Sequence, residues 1–196
     1  MSSRSCQARL RGYNCVVEFS LRDFRQSDFE TLWRIDQQCF APGISYSRLE
    51  LAEYLRRPQA FALVAESAPD PITVAPGRGL TEESSSTPRG HIVGFIVAES
   101  ESRGTGHIIT IDVLPDARGA GAGSRLLCVA EDRLRAARCH YVFLETAVDN
   151  RTALAFYKAH HYNVIKTIPR YYAGGVDALV LKKDLLSPSE PAKLPQ

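Results

Sequence analysis

The apolar positions of the first third of the chain change their period twice, from that of a strand to that of a helix and back. Val17, Phe19 and Leu21 alternate with polar neighbours over 16–24, which predicts a half-buried strand. Ser27-Asp28-Phe29-Glu30 then has the form of a capping box, in which a hydroxyl and a carboxylate three residues apart satisfy the first turn of a helix. The helix it predicts carries Leu32, Ile35 and Cys39 at helical spacing. Ser47-Arg48-Leu49-Glu50 repeats the signal and opens a short helix to about residue 55. Residues 61–66 and 92–98 read as strands on either side of a stretch without periodicity. Further on, 107–113 is an Ile-rich strand, and 123–137 is a helix striped by Leu126, Leu127, Ala130, Leu134 and Ala137. The nearly unbroken apolar run 141–148 predicts a central strand covered on both faces. Asn150 can cap a helix through Leu154 and Tyr157, and 164–168 and 176–181 finish as strands. The order β-α-α-β-β-β-α-β-α-β-β is that of a mixed α/β sheet without internal repeats.

Proline and glycine mark what lies outside this pattern. Pro69, Pro71, Pro76 and Pro88 crowd into 68–90 beside Gly77, Gly79, Gly90 and three consecutive serines, and three more prolines fall in the last ten residues. The expected organisation is a disordered head (1–15), one folded domain (16–186) with a mobile inserted loop (68–90) of tolerated excess length, and a disordered tail (187–196). An apolar share of 44% is enough to bury a core. The 24 basic and 22 acidic side chains nearly cancel, and 16–186 outside the loop carries 18 of each. That balance excludes a dedicated nucleic-acid binder, and no apolar run is long enough to span a bilayer. Arg4, Arg9 and Arg11 without an apolar run are not a secretory signal; a transit peptide is the alternative to a disordered head. Five cysteines, with no CxxC pair, indicate reduced thiols and a cytoplasmic location. Cys39, Cys128 and Cys139 read as buried apolar residues, and no metal site is expected.

The chemistry starts at Pro115-Asp116-Ala117-Arg118-Gly119-Ala120-Gly121-Ala122-Gly123, between the Ile-rich strand and the long helix. Alternating glycines allow a tight turn whose N–H groups point out of a helix start, and such an end attracts anions. Its first turn has no Asp or Glu, while Arg118 and Arg125 flank it, so the useful positive potential is local to this helix start. A P-loop would need Lys-Ser or Lys-Thr where Ser124-Arg125 stands, and the dinucleotide fingerprint would need glycine at 124. A turn without a ligand remains the alternative. Glu145 interrupts an apolar strand, where burial would raise its pKa toward that of a working base; a strand-end Glu paired with Arg is the other reading. Tyr157 offers a phenol on the next helix, or simply packs in the core with Leu154 and His161.

Arg118, Gly121 and Gly123, in the spacing Arg-x-x-Gly-x-Gly, resemble the pyrophosphate motif of the GNAT superfamily of acetyl-CoA-dependent N-acetyltransferases. The ungapped stretch from Leu144 to Tyr157 is similar to that of the RimI-type N-terminal acetyltransferases, which include the enzyme acting on the N-terminal alanine of ribosomal protein S18. The resemblance spans roughly 16–185. It implies a mixed, mostly antiparallel sheet of about seven strands flanked by about four helices. Acetyl-CoA is the implied cosubstrate, held by Ile111, Asp112 and Val113, by Arg118, Gly119, Ala120, Gly121, Ala122, Gly123 and Ser124, and by Asn150. Glu145 is the implied proton acceptor and Tyr157 the implied donor, in direct transfer to an amine. Tyr171 and Tyr172 resemble the paired tyrosines of a peptide groove whose opposite wall would be Phe40, Pro42 and Tyr46. The implied partner is a protein or peptide N-terminus, the protein itself being a monomer or weak homodimer, with neither nucleic acid nor membrane bound. Two departures bear on substrate preference: Val176 replaces an acidic residue, and His160-His161-Tyr162 replaces Leu-Gly-Phe. Lysine side chains or small amines as acceptors, or a non-catalytic CoA-binding module, are the alternatives.

Overall fold

Among the described residues, seven strands and four α-helices follow one another in the order that the hydrophobic pattern predicts. They are β1 (Phe19–Asp23), α1 (Phe29–Cys39), α2 (Arg48–Arg56), β2 (Ala60–Ser67), β3 (Ile92–Glu101), β4 (Thr105–Val113), α3 (Ala122–Ala136), β5 (Tyr141–Ala147), α4 (Arg151–Ala159), β6 (Asn163–Ile168) and β7 (Ala178–Asp184). The structure, a computed structural model, describes residues 19–67 and 90–186. The predicted head and tail, the Pro-rich loop except Gly90, Cys6, Cys15 and the strand start at Val17 lie outside the described residues.

The strands form one sheet in the order β1-β2-β3-β4-β5-β7-β6, antiparallel throughout except for β4 beside β5. β2 and β3 are neighbours, so the Pro-rich segment joins two adjacent antiparallel strands. Leu126, Leu127, Ala130 and Leu134 of α3 pack on one face with Leu63, Ile96, Ile108 and Leu144, joined by Tyr157 of α4. On the other face Leu32 and Ile35 of α1 and Leu51 of α2 cover Val64, Phe95 and Val97. These two helices lie chiefly over β2, β3 and β4. β5 is not covered equally on both faces as predicted. Val142 and Leu144 are buried, while Tyr141, Phe143 and Glu145 on the alternate face are half-open.

The helix ends show where local signals hold and where tertiary contacts replace them. The box at α2 closes as predicted: Ser47 N–H donates to Glu50 Oε2 at 2.8 Å and Glu50 N–H to Ser47 Oγ at 3.3 Å. Asn150 Oδ1 accepts from Ala153 N–H at 3.1 Å and caps α4. The box at Ser27 does not form. Ser27 lies within a 3-10 turn, and Asp28 accepts instead from the Arg25 N–H at 2.7 Å while pairing with Arg22 of β1. A charged partner on the neighbouring strand outcompetes the local hydroxyl, and Glu30 turns to Arg48 of α2.

Helices α3 and α4 end alike. Cys139 N–H reaches back to Leu134 O and Arg138 N–H to Arg135 O; Tyr162 N–H reaches Tyr157 O and His161 N–H reaches Lys158 O. These are two Schellman motifs, whose left-handed position usually takes glycine. Here it holds Arg138 (φ 63°) and His161 (φ 66°). Beneath them, buried Glu131 receives Lys183 Nζ at 2.8 and 2.6 Å and the Tyr162 hydroxyl at 3.0 Å, locking α3 to β7 and to the end of α4.

Candidate active site

The sheet opens at its centre. β4 and β5 pair at only three positions, Thr105↔Tyr141, Gly106↔Val142 and His107↔Phe143. Both strands then run on, β4 to Val113 and β5 to Ala147, each still paired with its outer neighbour. Their inner edges face a slot that neither strand fills, and an extended ligand can hydrogen-bond there. Leu114 N–H goes to Val93 O on β3 at 2.9 Å. Alternation along the strand therefore turns the N–H and C=O of Val113 and Ile111 toward the slot. The Val113 carbonyl is taken by Arg118 Nε at 2.9 Å, with the Cys39 thiol at 3.4 Å.

At the mouth of the slot, Pro115–Ala117 forms a 3-10 turn and the chain reaches α3 through Gly119 (φ 79°) and Gly121 (φ 90°). A Cβ built on either meets nothing within 4 Å, so the backbone dihedral rather than crowding calls for glycine. Gly123 is different, being already inside α3. Gly121 is the N-cap and supplies no side-chain acceptor, and the first turn of α3 has no acidic residue. The N–H groups of Ala122, Gly123 and Ser124 thus start a fifteen-residue helix without a side-chain cap. Ser124 Oγ lies 2.9 Å from His160 Nε2. Ala120 is half-buried and Ala122 buried. Arg125 does not join this site as expected. Its guanidinium reaches back to Phe19 O at 3.0 Å and lies over the Phe19 ring, because β1 offers both an acceptor and an aromatic face.

Glu145 stands on the half-open face of β5, and the partner that makes its burial tolerable is His107, not an arginine. His107 Nε2 lies 2.9 Å from Glu145 Oε2, and the imidazole stacks on Phe143 with centroids 4.2 Å apart and planes 9° apart. Sequence reasoning missed His107; the available signal was a single imidazole opening an Ile-rich strand. Tyr157 is buried between the edges of Phe156 and Tyr162. Burial pushes its phenol well above the ordinary tyrosine value, and the charge of Asp112 adds to the shift, so it holds its proton.

Asp112, foreseen only as part of the cofactor strand, is a buried carboxyl. Oδ1 accepts from Thr110 Oγ1 at 3.0 Å, while Oδ2 has no partner. Desolvation raises its pKa, and the nearby charge of Asp36 raises it further. Asp36, on α1, is also fully buried: Oδ2 accepts from Tyr46 N–H at 2.8 Å and from Gln37 Nε2 at 3.0 Å, and Oδ1 has no partner. Burial pushes this carboxyl up to about 6.

The connection between α1 and α2 approaches that between β6 and β7. A Cβ added at Gly43, in the α1–α2 connection, would stand 2.9 Å from Ala173 Cβ in the β6–β7 connection. Phe40 ends α1, Pro42 is exposed, and the Tyr46 hydroxyl donates to Ile109 O of β4 at 3.2 Å. Opposite, Tyr171 is half-exposed and packs edge-on to Tyr172 at 4.9 Å. Burial raises both phenols; the charge of Glu145 adds to the shift of Tyr171, and Tyr171 and Glu145 add to that of Tyr172. Asp177 Oδ1 accepts from Arg170 N–H at 2.8 Å and closes the base of this loop. Asn150 is half-buried; its cap bond uses Oδ1 and leaves the amide nitrogen to other acceptors. Of the described cysteines Cys139 is buried and Cys39 and Cys128 are partly so. No helix among the described residues is long and apolar enough to cross a membrane.

Comparison with known proteins follows the same lines. The profile of the acetyltransferase (GNAT) family matches residues 29–162. An uncharacterized N-acetyltransferase of Methanocaldococcus jannaschii is 39% identical over 95 residues, 48% of this chain and 60% of that one. An N-alpha-acetyltransferase of Sulfurisphaera tokodaii is 24% identical over 180 residues, 86% of this chain and 94% of that one. The crystal structure of Ard1 from Thermoplasma volcanium superposes with a TM-score of 0.70 at 24% identity, covering 86% of this chain and 99% of that one. The chain spans about half the length of several curated relatives it matches: 60%, 57% and 48% of three of them.

Proposed function

The chain belongs to the GNAT acetyltransferase family, and on that premise we propose that it transfers acetyl from acetyl-CoA to the N-terminal α-amine of a protein or peptide. The observation that carries this is an open slot beside the Tyr171–Tyr172 pair, with Glu145 on β5 where that strand has parted from β4. The N-alpha-acetyltransferases among its sequence relatives support the choice of amine.

The residues present suit acetyl-CoA. The uncapped start of α3 with Gly119, Ala120 and Gly121 would take the pyrophosphate, assisted by Arg118, and the Ile111–Asp112–Val113 edge of β4 would pair with an extended amide-bearing arm. The Asn150 amide is a further donor. When bound, the coenzyme supplies an acetyl group activated as a thioester. The protein's own contribution is orientation and proton handling. Val113 N–H faces the slot, where it can stabilise a developing oxyanion. Glu145 takes the proton that the amine must lose, and the His107 imidazole holds that carboxylate in place. Tyr157, kept protonated by burial, holds a proton for the departing sulfur. An α-amine has a pKa of about 7.7–8.0 against about 10.4 for lysine, so a carboxylate base needs about 3 kcal/mol less help with it.

Within this class we infer a RimI-type preference from the Glu145–Asn150–Tyr157 spacing. The test is acetyl-CoA turnover on peptides of varied first residue, beside N-blocked lysine peptides and polyamines. Free N-termini should be acetylated and blocked ones should not. Turnover confined to the N-blocked lysine peptides would overturn the assignment.

A further inference from the structure

The end of α4 carries three residues that the transfer geometry leaves without a role, His160-His161-Tyr162 in place of Leu-Gly-Phe. The fold sends them in different directions. Tyr162 is buried on Glu131, and exposed His161 takes the left-handed turn. His160 is half-buried and turns toward α3. Its ring lies against that of Phe156, one turn earlier on the same helix, with centroids 4.6 Å apart. Phe156 in turn sits beside the first turn of α3, where a Cβ added at Gly123 would stand 3.5 Å from its Cε2. The end of α4 is thereby docked on the start of α3. This docking brings His160 Nε2 to 2.9 Å from Ser124 Oγ, 36 residues away in sequence.

Ser124 is the third residue of α3, after Ala122 and Gly123. Arg125 N–H bonds back to Gly121 O at 3.0 Å and opens the helical ladder, so the Ser124 N–H belongs to the unpaired start. A serine hydroxyl has one proton and two lone pairs, and its contact with His160 admits two directions. If Oγ–H donates to Nε2, the oxygen presents lone pairs to the helix start and repels an anion. If Nε2–H donates to Oγ, the hydroxyl proton is left for an acceptor there, and the two aligned hydrogen bonds reinforce each other. An anion beside the unpaired N–H groups selects the second direction. A protonated ring permits no other, since both its nitrogens are then donors. The charged groups facing the ring are Lys183 of β7, Glu131 of α3 and the neighbouring His161. Burial holds the imidazole below the ordinary histidine value, Lys183 adds to this, Glu131 opposes it and His161 adds again. At pH 7.5, with no anion beside it, the ring is neutral.

We propose that His160 is a positioning residue of the coenzyme site: donating from Nε2 to Ser124 Oγ, it leaves the serine hydroxyl proton for the diphosphate that the start of α3 takes. A bound anion also raises the pKa of the nearby imidazole. Between the free and the bound value the ring takes up a proton as the ligand binds, so affinity rises as pH falls. The role of His160 rests on the start of α3 being the coenzyme site, as proposed above, and is independent of which amine is acetylated.

The probe is 3′-dephospho-coenzyme A, whose diphosphate keeps the same charge between pH 5.5 and 7.5. Calorimetric titration of the full chain in two buffers of different ionisation enthalpy reads affinity and proton uptake together. Wild-type affinity should rise several-fold from pH 7.5 to 5.5, with protons taken up. His160→Leu keeps an apolar side chain against Phe156; it should lose that pH dependence and bind about tenfold more weakly than wild type at pH 5.5. His160→Gln, whose amide can still donate to Ser124 Oγ, should recover affinity at pH 7.5 without the pH dependence. On a Ser124→Ala background His160→Leu should cost less than about threefold, because the ring acts through that hydroxyl. Unchanged melting temperatures check that the variants fold. Equal affinity of His160→Leu and wild type at both pH values, a pH dependence that survives the substitution, or an undiminished loss on the Ser124→Ala background overturns the role of His160 alone. Absence of binding by the folded wild-type chain overturns the coenzyme site and this role with it. Binding that depends on His160 as expected, in a protein that acetylates no peptide, overturns the proposed function and leaves the role standing.

Discussion

Replacing Asp36 by Asn should stabilise the protein at neutral pH and leave it unchanged in acid. Asp36 is fully buried, and one of its oxygens has no hydrogen-bond partner. Burial raises its carboxyl from 3.8 to about 6. Below about pH 4 the folded and unfolded chains both carry this proton, so it contributes nothing to the difference between them. Between about pH 4 and 6 the folded state still holds the proton while the unfolded state has lost it, and stability falls as pH rises. Above pH 6 the full penalty is in place: about two units, or roughly 3 kcal/mol at 1.36 kcal/mol per unit. Asn is the neutral isostere. Its amide oxygen can still accept from Tyr46 N–H, and its NH₂ gives a donor on the side where Asp36 Oδ1 has no partner and the Asp112 carboxyl is near. The expected gain in urea denaturation is therefore about 2–3 kcal/mol at pH 7.5, shrinking to nothing by pH 4. A constant difference across that range, or a loss at pH 7.5, would refute the assignment of a buried, strained charge at this position.

Glu145→Gln should lower kcat for peptide acetylation by about a hundredfold or more while acetyl-CoA affinity, read by calorimetry, stays at the wild-type value. Unchanged turnover would remove Glu145 from proton transfer. Tyr157→Phe should likewise depress kcat with the cofactor still bound, and a selective loss of cofactor affinity would make it a packing residue instead. His161→Gly and Arg138→Gly each relieve a left-handed residue at a helix end and should add about 1 kcal/mol in thermal or chemical melts; destabilisation would show that those side chains hold the turn. Glu131→Ala strands Lys183 and the Tyr162 hydroxyl under the sheet and should cost about 3 kcal/mol in urea denaturation, a loss below 1 kcal/mol counting against the network.

Local sequence was enough for everything set by neighbours along the chain. The period of the apolar residues placed eleven elements in order, because a strand buries every second residue and a helix every third or fourth. The box at Ser47 and the cap at Asn150 close within three residues, so no distant group was needed to read them. Gly119 and Gly121 were legible as a turn, since positive φ is a property of the residue itself. Where a distant partner competes, local reading failed: Arg22 drew Asp28 away from the pattern at Ser27, and Phe19 drew Arg125 away from the helix start. The sheet order was equally out of reach, since β7 lying between β5 and β6 is a choice among long-range pairings. That order, with α1 and α2 chiefly over β2, β3 and β4, leaves one face of β5 half-open and turns an apolar run into the floor of a site. The His107–Glu145 contact joins residues 38 apart, and the buried Asp36 and Asp112 come from different layers. Their chemistry is set by desolvation and proximity, which exist only after the chain has packed.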